Sequence, residues 1–383
     1  MTDTVLFFVY SNKYICASRI AGARRYAERR GWNIHVIERG NRTLDVKGLI
    51  DFWKPIGIIA ECGGGIPELS RKHIGSIPCV YFDEDPNGDK GRALYVNSDS
   101  SLVGEIAAKE LLMLDLPHYA FVGWREKRFW SEERRKAFQS ALRLNGKPCH
   151  VFDCPPETTP SRRKALLGKW LNGLPKPCGI FAAHDPVAED VLELAAAGNI
   201  AVPEELAVIG VDDDPIICER TLPPLTSIGL DFEQGGFLCC QLLDERIKNP
   251  AFTDAKVKFG ITSVTRRLST RRFSRSDRRV SAAISFIRRT ACEGVSVPMV
   301  ASVMGLKRRM AEMVFRRETG HSIHDEIRDV RLERVEALLR NPLQQISTLA
   351  DFCGWKSQAA LRVAFHAKYG MSPSEWRQRT NEE

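Results

Sequence analysis

Nowhere in the 383 residues is there an apolar run of the roughly 18 residues that a membrane-spanning helix needs. The opening Met1-Thr2-Asp3-Thr4 lacks the basic stretch and small-residue cleavage site of a secretory leader, so neither a span nor export is indicated and a cytoplasmic, nucleoid-associated protein is expected. No CxxC pair or Cys/His cluster supplies metal-ligand spacing. The 11 cysteines are scattered from Cys16 to Cys353, which argues for reduced, mostly buried thiols and for no metal and no cofactor. Phosphate-binding P-loops and nucleophile elbows are missing too, which removes the commonest signatures of nucleotide and ester chemistry. What remains is ordinary globular material, 43% hydrophobic and 27% charged, long enough for two or three domains.

The charge is unevenly placed. Residues 1–265 hold 33 Lys and Arg against 35 Asp and Glu, while residues 266–383 hold 23 against 13, so the net +8 comes from the C-terminal third. A compact basic module beside a near-neutral larger one fits a polyanion partner, because each neutralised phosphate releases condensed counterions. Between them, residues 266–279 contain seven arginines and no apolar periodicity, and are read as an Arg-rich linker.

Within residues 1–265, short apolar runs recur at Thr4–Val9, Asn33–Ile37, Ile56–Ala60, Cys79–Phe82, Tyr119–Val122, Gly179–Ala183 and Ala207–Val211. Segments with helical spacing lie between them, such as Val187, Val191, Leu194 and Ala195. This βαβ rhythm predicts parallel sheets covered on both faces, in a length suited to two lobes, with ligands bound at the carboxyl ends of the strands. Polar residues stand at those ends: Asp83, the pair His184-Asp185, and the run Asp212-Asp213-Asp214. A single Asp there is usually a turn former or helix cap. Taken with Asp99, Trp130 and Arg134, the set favours a polyol site, since carboxylates and a guanidinium bond vicinal hydroxyls and an indole packs on the C–H face of a sugar.

Three blocks carry a resemblance. Ala182-Ala183-His184-Asp185-Pro186, then Pro203-Glu204-Glu205-Leu206-Ala207-Val208-Ile209-Gly210-Val211-Asp212-Asp213, then Leu222-Pro223-Pro224-Leu225-Thr226-Ser227-Ile228 resemble, in order and spacing, the effector domain of LacI-type sugar repressors, which is similar to periplasmic sugar-binding proteins. Asp99 and Arg134 match ligand-contacting positions of that family. His184 stands where the family often has Asn. The amino-terminal DNA-binding headpiece usual in that family does not precede Thr4–Val9, so DNA binding is expected elsewhere.

Residues 280–383 provide it. Ala301 lies four residues before Gly305 and Ala350 four before Gly354, each followed by an apolar residue and then a helix closed by Phe315 or Phe365. A small residue where two helices approach and a turn residue tolerant of positive φ are what a helix-turn-helix requires, here twice. Between the two, Leu332, Val335, Leu338 and Leu339 form one buried helical stripe. The blocks Gly320-His321-Ser322-Ile323-His324, Ile346-Ser347-Thr348-Leu349-Ala350-Asp351-Phe352-Cys353-Gly354-Trp355 and Tyr369-Gly370-Met371-Ser372-Pro373 resemble the AraC-type DNA-binding domain. By position in that family, the DNA-contacting candidates are Arg308, Arg309 and Glu312 in the first unit and Lys356, Gln358 and Arg362 in the second. Arg can pair bidentately with guanine and Gln with adenine.

The combined expectation is an α/β two-lobed, periplasmic-binding-protein-like domain over residues 1–265, an Arg-rich linker over 266–279 and an all-α domain with two helix-turn-helix units over 280–383. That arrangement resembles the xylose operon regulators. The resemblance implies a homodimeric, D-xylose-responsive activator of sugar-catabolic genes that binds operator DNA, contacts RNA polymerase and is no enzyme. Its ligand-binding candidates are Asp83, Asp99, Trp130, Arg134, His184, Asp185 and Asp212. Three alternatives remain: another sugar or polyol as effector; a constitutive DNA binder; and a sugar enzyme with Asp185 and Asp212 as paired carboxylates and Gly63-Gly64-Gly65 as a phosphate cradle.

Overall fold

A computed structural model describes residues 3–9, 13–38, 45–61, 69, 71–88, 92–125, 128–155, 157–271, 278–339 and 345–382. The glycines at 63–65 lie outside the described residues. The chain divides into two compact units, Met1–Arg272 and Phe273–Glu383.

The first unit runs β1 (Thr4–Val9), α1 (Lys13–Arg30), β2 (Asn33–Glu38), α2 (Val46–Trp53), β3 (Gly57–Glu61), α3 (Arg71–Ile74), β4 (Cys79–Phe82), β5 (Leu94–Ser98). It continues α4 (Ser100–Leu112), β6 (His118–Val122), α5 (Phe129–Leu144), β7 (Cys149–Phe152), α6 (Pro160–Gly173), β8 (Cys178–Ala182), α7 (Asp185–Ala197), β9 (Leu206–Val211), α8 (Pro215–Cys218), β10 (Thr226–Leu230), α9 (Phe232–Lys248), β11 (Ala255–Phe259) and β12 (Ile261–Thr265). These strands form two six-stranded sheets, ordered β11-β5-β4-β3-β1-β2 and β12-β10-β9-β8-β6-β7. Every pairing is parallel except β10 with β12. The central strands β3, β5, β8, β9 and β10 are buried along their whole length, as strands covered on both faces must be.

The chain passes between the lobes after β5, after β10 and between β11 and β12. Backbone bonds tie these passages: Asp99 N–H donates to Phe259 C=O at 2.9 Å and Asp231 N–H to Gly260 C=O at 3.1 Å. Asp99 and Asp231 cap α4 and α9, accepting from Leu102 and Gln234 N–H. Two pairs of helices meet backbone to backbone. α1 approaches α9 through Gly22 and Gly236, where an added Cβ would fall within 2 Å of Glu233 O and Arg19 O, and α4 approaches α5 through Gly104.

Residues 266–270 are not a free tether. Ser269 Oγ donates to Val208 C=O at 2.6 Å, Thr226 and Thr270 hydroxyls meet at 2.8 Å, and Leu268 is buried. Arg266 forms a two-pronged pair with Glu110, both contacts at 2.7 Å, and Arg267 pairs with Asp213 at 2.6 Å. The acids of the second lobe thus hold the first two arginines of the expected linker, whose residues 272–277 lie outside the described residues.

The second unit is helical: α10 (Arg278–Thr290), α11 (Val297–Val303), α12 (Arg308–Thr319), α13 (Ile323–Leu339), α14 (Leu349–Phe352), α15 (Gln358–Tyr369) and α16 (Pro373–Glu382). Leu332, Val335 and Leu339 of α13 are fully buried against Leu349, Leu361 and Phe365, with Leu338 at the margin. Gly305 and Gly354 turn at φ +63° and +71°, and Ala301 and Ala350 are buried behind them. At Gly354 a side chain is excluded twice over, because an added Cβ would lie 2.8 Å from Cys292 O. Among the described residues no helix is long and apolar enough to cross a membrane, and no cluster of three His, Cys, Asp or Glu is placed to hold a metal ion.

Candidate ligand cleft and nucleic-acid interface

The strand ends of the two sheets bring charged side chains together from distant parts of the sequence. In the first lobe Arg19 of α1 is buried and ion-paired to Glu61, the last residue of β3, and to Asp83 Oδ2 at 2.5 Å just past β4. The Arg19 guanidinium also lies 4.2 Å over Phe82 and 4.9 Å over Phe232. Its two acidic partners hold it above even the ordinary arginine range despite burial. Asp83 sits in the left-handed region at φ +54°, where a strand-end Asp is tolerated better than most residues.

The second lobe supplies Arg134, His184 and Asp212. Arg134, 4% exposed, donates through Nη1 to Ala183 C=O at 2.5 Å and lies 4.8 Å over the Trp130 ring. Its Nε is buried without a partner. His184 caps α7, its Nδ1 accepting from Val187 N–H at 3.4 Å, which leaves the proton of the neutral ring on Nε2. Burial and the nearby Arg134 push His184 down to about 3, so it is neutral over the physiological range. Trp124 meets the His184 ring edge to face at 4.5 Å and Trp130 lies 5.6 Å away on another side.

Asp212 adopts φ +109°, an outlier for a residue with a side chain. Burial pushes its carboxyl up to about 7, against the pull of Arg134 and Arg19. Among the described residues its carboxylate accepts no hydrogen bond, and Arg134 makes no ion pair. Leaving a buried donor unmade costs about 1–3 kcal/mol, so Arg134 Nε and the Asp212 carboxylate are the groups of this cluster with bonding capacity to spare.

Two candidates fall outside this cluster. Asp185 is fully buried and both oxygens are used inside the lobe: Oδ1 accepts from Ser227 Oγ at 2.6 Å, and Oδ2 from Asp214 N–H at 2.9 Å and Cys218 Sγ at 3.3 Å. Its bonds hold the loop that follows Asp212, and burial beside Asp212 holds it well above the usual carboxylate range. Asp99 is a helix cap paired to Lys258 Nζ at 3.2 Å, at the passage between lobes. In the acidic run Asp213 is held by Arg267 and by Thr265 Oγ1 at 2.6 Å, and Asp214 caps α8, so only Asp212 stays open. Arg19, Glu61 and Trp124 were not foreseen. Glu61 and Trp124 occupy strand-end positions like that of Asp83 and were open to the same argument; Arg19, in a helix with many exposed arginines, carried no signal.

In the second unit α12 and α15 are the second helices of the two helix-turn-helix motifs. Arg308, Arg309, Lys356 and Arg362 are exposed and form no ion pair among the described residues. Glu312 and Gln358 are half-buried and bonded within the unit. Glu312 Oε2 accepts from Ile323 N–H at 3.4 Å at the start of α13, and Gln358 Nε2 donates to Ser347 C=O. Met313 and Val363, 57% and 72% exposed, present apolar surface on the same two helices.

Two parallel-stranded lobes with charged side chains gathered at their strand ends, followed by a basic unit with paired helix-turn-helix motifs, are the parts of a ligand-responsive DNA-binding regulator. Comparison with known proteins is specific on both halves. Residues 108–270 match the periplasmic binding protein-like domain model and residues 300–379 a helix-turn-helix domain model. The xylose operon regulatory proteins of Haemophilus influenzae and of Escherichia coli K12 are 27% and 28% identical to it, over 74% of this chain and 74% and 73% of theirs. The solved structure of a xylose-binding transcription activator superposes with a TM-score of 0.72 at 25% identity, covering 98% of this chain and 97% of that one. The chain is thus similar, over most of its length, to xylose operon regulatory proteins, with a periplasmic binding protein-like match in its first unit and a helix-turn-helix match in its second.

Proposed function

We propose that the chain is a sugar-sensing transcription activator whose inter-lobe cleft takes a neutral pentose, D-xylose, and which acts on operator DNA as a homodimer in the cytoplasm, without catalysing a reaction. The observation that carries the sugar reading is the pairing of an unsatisfied, buried Arg134 Nε with an unbonded Asp212 carboxylate in one cluster. The cluster's cations Arg19 and Arg134 nearly balance Glu61, Asp83 and Asp212. That suits an uncharged ligand whose hydroxyls both donate and accept. Trp130 and Trp124 supply the apolar faces a pyranose stacks on.

A sugar that spans Asp83 on one lobe and Arg134 and Asp212 on the other binds the closed arrangement better than the open one. It shifts that equilibrium only by this difference, and a hundredfold shift needs about 2.7 kcal/mol. On DNA, Arg309 and Arg362 are assigned to base edges, Arg308 and Lys356 to phosphates, and Met313 and Val363 to thymine methyl groups. RNA polymerase is the expected contact of the DNA-bound activator. His184 in place of the family's frequent Asn supports a second reading, the same regulator tuned to another sugar or polyol.

The test is thermal unfolding of the full chain against pentoses, hexoses and polyols. A ligand at about 100 times its Kd adds about 2.7 kcal/mol. A saturable rise with D-xylose alone is expected; a rise only with a different sugar replaces the effector, and silence across the panel overturns the sensor reading.

A further inference from the structure

Wholly within the second lobe lies a cavity of about 170 Å³ between the ends of β6 and β7 and helices α5 and α6. Its lining includes Arg125, Arg135, Arg163, Trp124, Asp153 and Cys154. Nothing in the sugar reading uses Arg135, Arg163 or Cys154.

Arg163 is the unusual member. It is 7% exposed, its Nη2 donates to Gly123 C=O at 2.7 Å, and its guanidinium stacks 5.3 Å over Phe152. Its Nε is buried with no partner, and no carboxylate pairs with it among the described residues. A guanidinium taken out of water without a counter-charge is costly, and an anionic acceptor is the partner that recovers most of that cost. Arg135 also lines the cavity, but as a pair with Glu132, which lines it too, so Arg163 carries the uncompensated charge. Glu132 Oε2 accepts from Arg135 Nε at 3.0 Å and Nη2 at 2.5 Å, and Gln139 Oε1 from Arg135 Nη1 at 2.9 Å, so Arg135 is held in place before any ligand arrives.

We propose that this cavity is a second ligand site, which takes a small oxyanion, a phosphate or a short carboxylate, on the Arg163 guanidinium. The size suits a single oxyanion group, not a disaccharide. Trp124 lines the cavity and also packs on His184 of the cleft, so an occupant adjoins the sugar site through one shared side chain. Occupancy of the two sites is therefore coupled, by the same factor in either direction. The binding itself stands on the cavity alone, and only the coupling rests on the sugar reading.

The experiment is thermal unfolding and titration calorimetry of the full chain with inorganic phosphate and, separately, with succinate, each against sodium chloride at equal ionic strength. A saturable rise of about 3 °C with either anion and none with chloride is expected, the responding anion naming the source. Arg163→Gln should weaken that binding by at least about tenfold while keeping the response to sugar, which shows that the lobe is folded. Should Arg163→Gln fail to fold, Arg163→Lys, which keeps the charge and removes the Nε donor, carries the same expectation. Equal binding by the variant, or no anion response beyond chloride, overturns the proposal. Loss of the sugar response alone in the native chain overturns only the cleft reading.

Discussion

The strand-end cluster of the first unit and the exposed faces of α12 and α15 use arginine in opposite ways. In the cleft Arg19 and Arg134 are buried and stacked on aromatic rings, and Arg19 is neutralised by Glu61 and Asp83. On α12 and α15, Arg308, Arg309 and Arg362 are exposed and unpaired among the described residues. A neutral ligand offers only short, directional hydrogen bonds, which gain strength when water is excluded and the partners are rigid. DNA offers a dense line of charge that acts through solvent and rewards cations left free to displace counterions. Under the proposed function, burial in one place and exposure in the other suit what each partner presents.

The sharpest way to break this comparison is to remove a buried cleft charge. Arg134→Ala or Asp212→Asn should weaken sugar binding at least about a hundredfold, about 2.7 kcal/mol, and leave sugar-free operator binding unchanged in gel shifts. A variant that still responds to sugar would move the site. Next in size is Gly104→Ala. The added Cβ would lie 2.4 Å from Arg134 O, backbone that cannot swing aside. Forcing α4 and α5 apart should cost about 1–3 kcal/mol in urea unfolding and carry Arg134 away from the cleft, lowering sugar affinity with it.

On the exposed side the expected losses are of a different kind. Arg309→Ala and Arg362→Ala should each cost about 1–3 kcal/mol at the cognate site and relax preference at one base pair. Lys356→Ala should weaken all sequences alike and reduce the salt slope by about one unit. Binding measured over a salt series separates the two; a uniform loss for Arg362→Ala would make it a phosphate anchor.

On pH the expected net effect in the native chain is small, because two opposing contributions offset each other. His184 is lowered from 6.5 to about 3, so the folded protein refuses a proton the unfolded chain accepts, and stability falls as pH drops from 6.5 towards 3. Asp212 is raised from 3.8 to about 7, so the folded state keeps a proton the unfolded chain loses, and stability falls as pH rises from 3.8 to 7. Between 3.8 and 6.5 the two oppose each other. In urea titrations across that window, Asp212→Asn should gain stability with pH more steeply than the native chain, and His184→Gln should lose it.

How much was legible differs between the same two regions. The paired Ala-x3-Gly turns, the α13 stripe and the strands β1, β2, β3, β4, β6, β8 and β9 follow from local spacing, because helix turns and buried strands impose their period on nearby residues. Five strands escaped: β7, β11 and β12 are sheet-edge segments with half-exposed faces and little apolar pattern, while β5 and β10, although buried, are short and interrupted by Asn97 and Ser98 or by Thr226, Ser227 and Gly229.

Residue type alone decided that strand-end carboxylates, an arginine and indoles are available for a polyol, and that two helix-turn-helix motifs stand in a basic domain. Only the tertiary structure decided which of these groups are free. It spent Asp185 on Ser227, Asp214 N–H and Cys218, Asp99 on a helix cap, Glu312 on Ile323 N–H and Gln358 on Ser347, and brought Arg19 against Glu61 and Asp83 from 42 and 64 residues away. The reason is that a polar side chain bonds whatever lies within about 3 Å, and that neighbourhood is set by packing between elements remote in the chain.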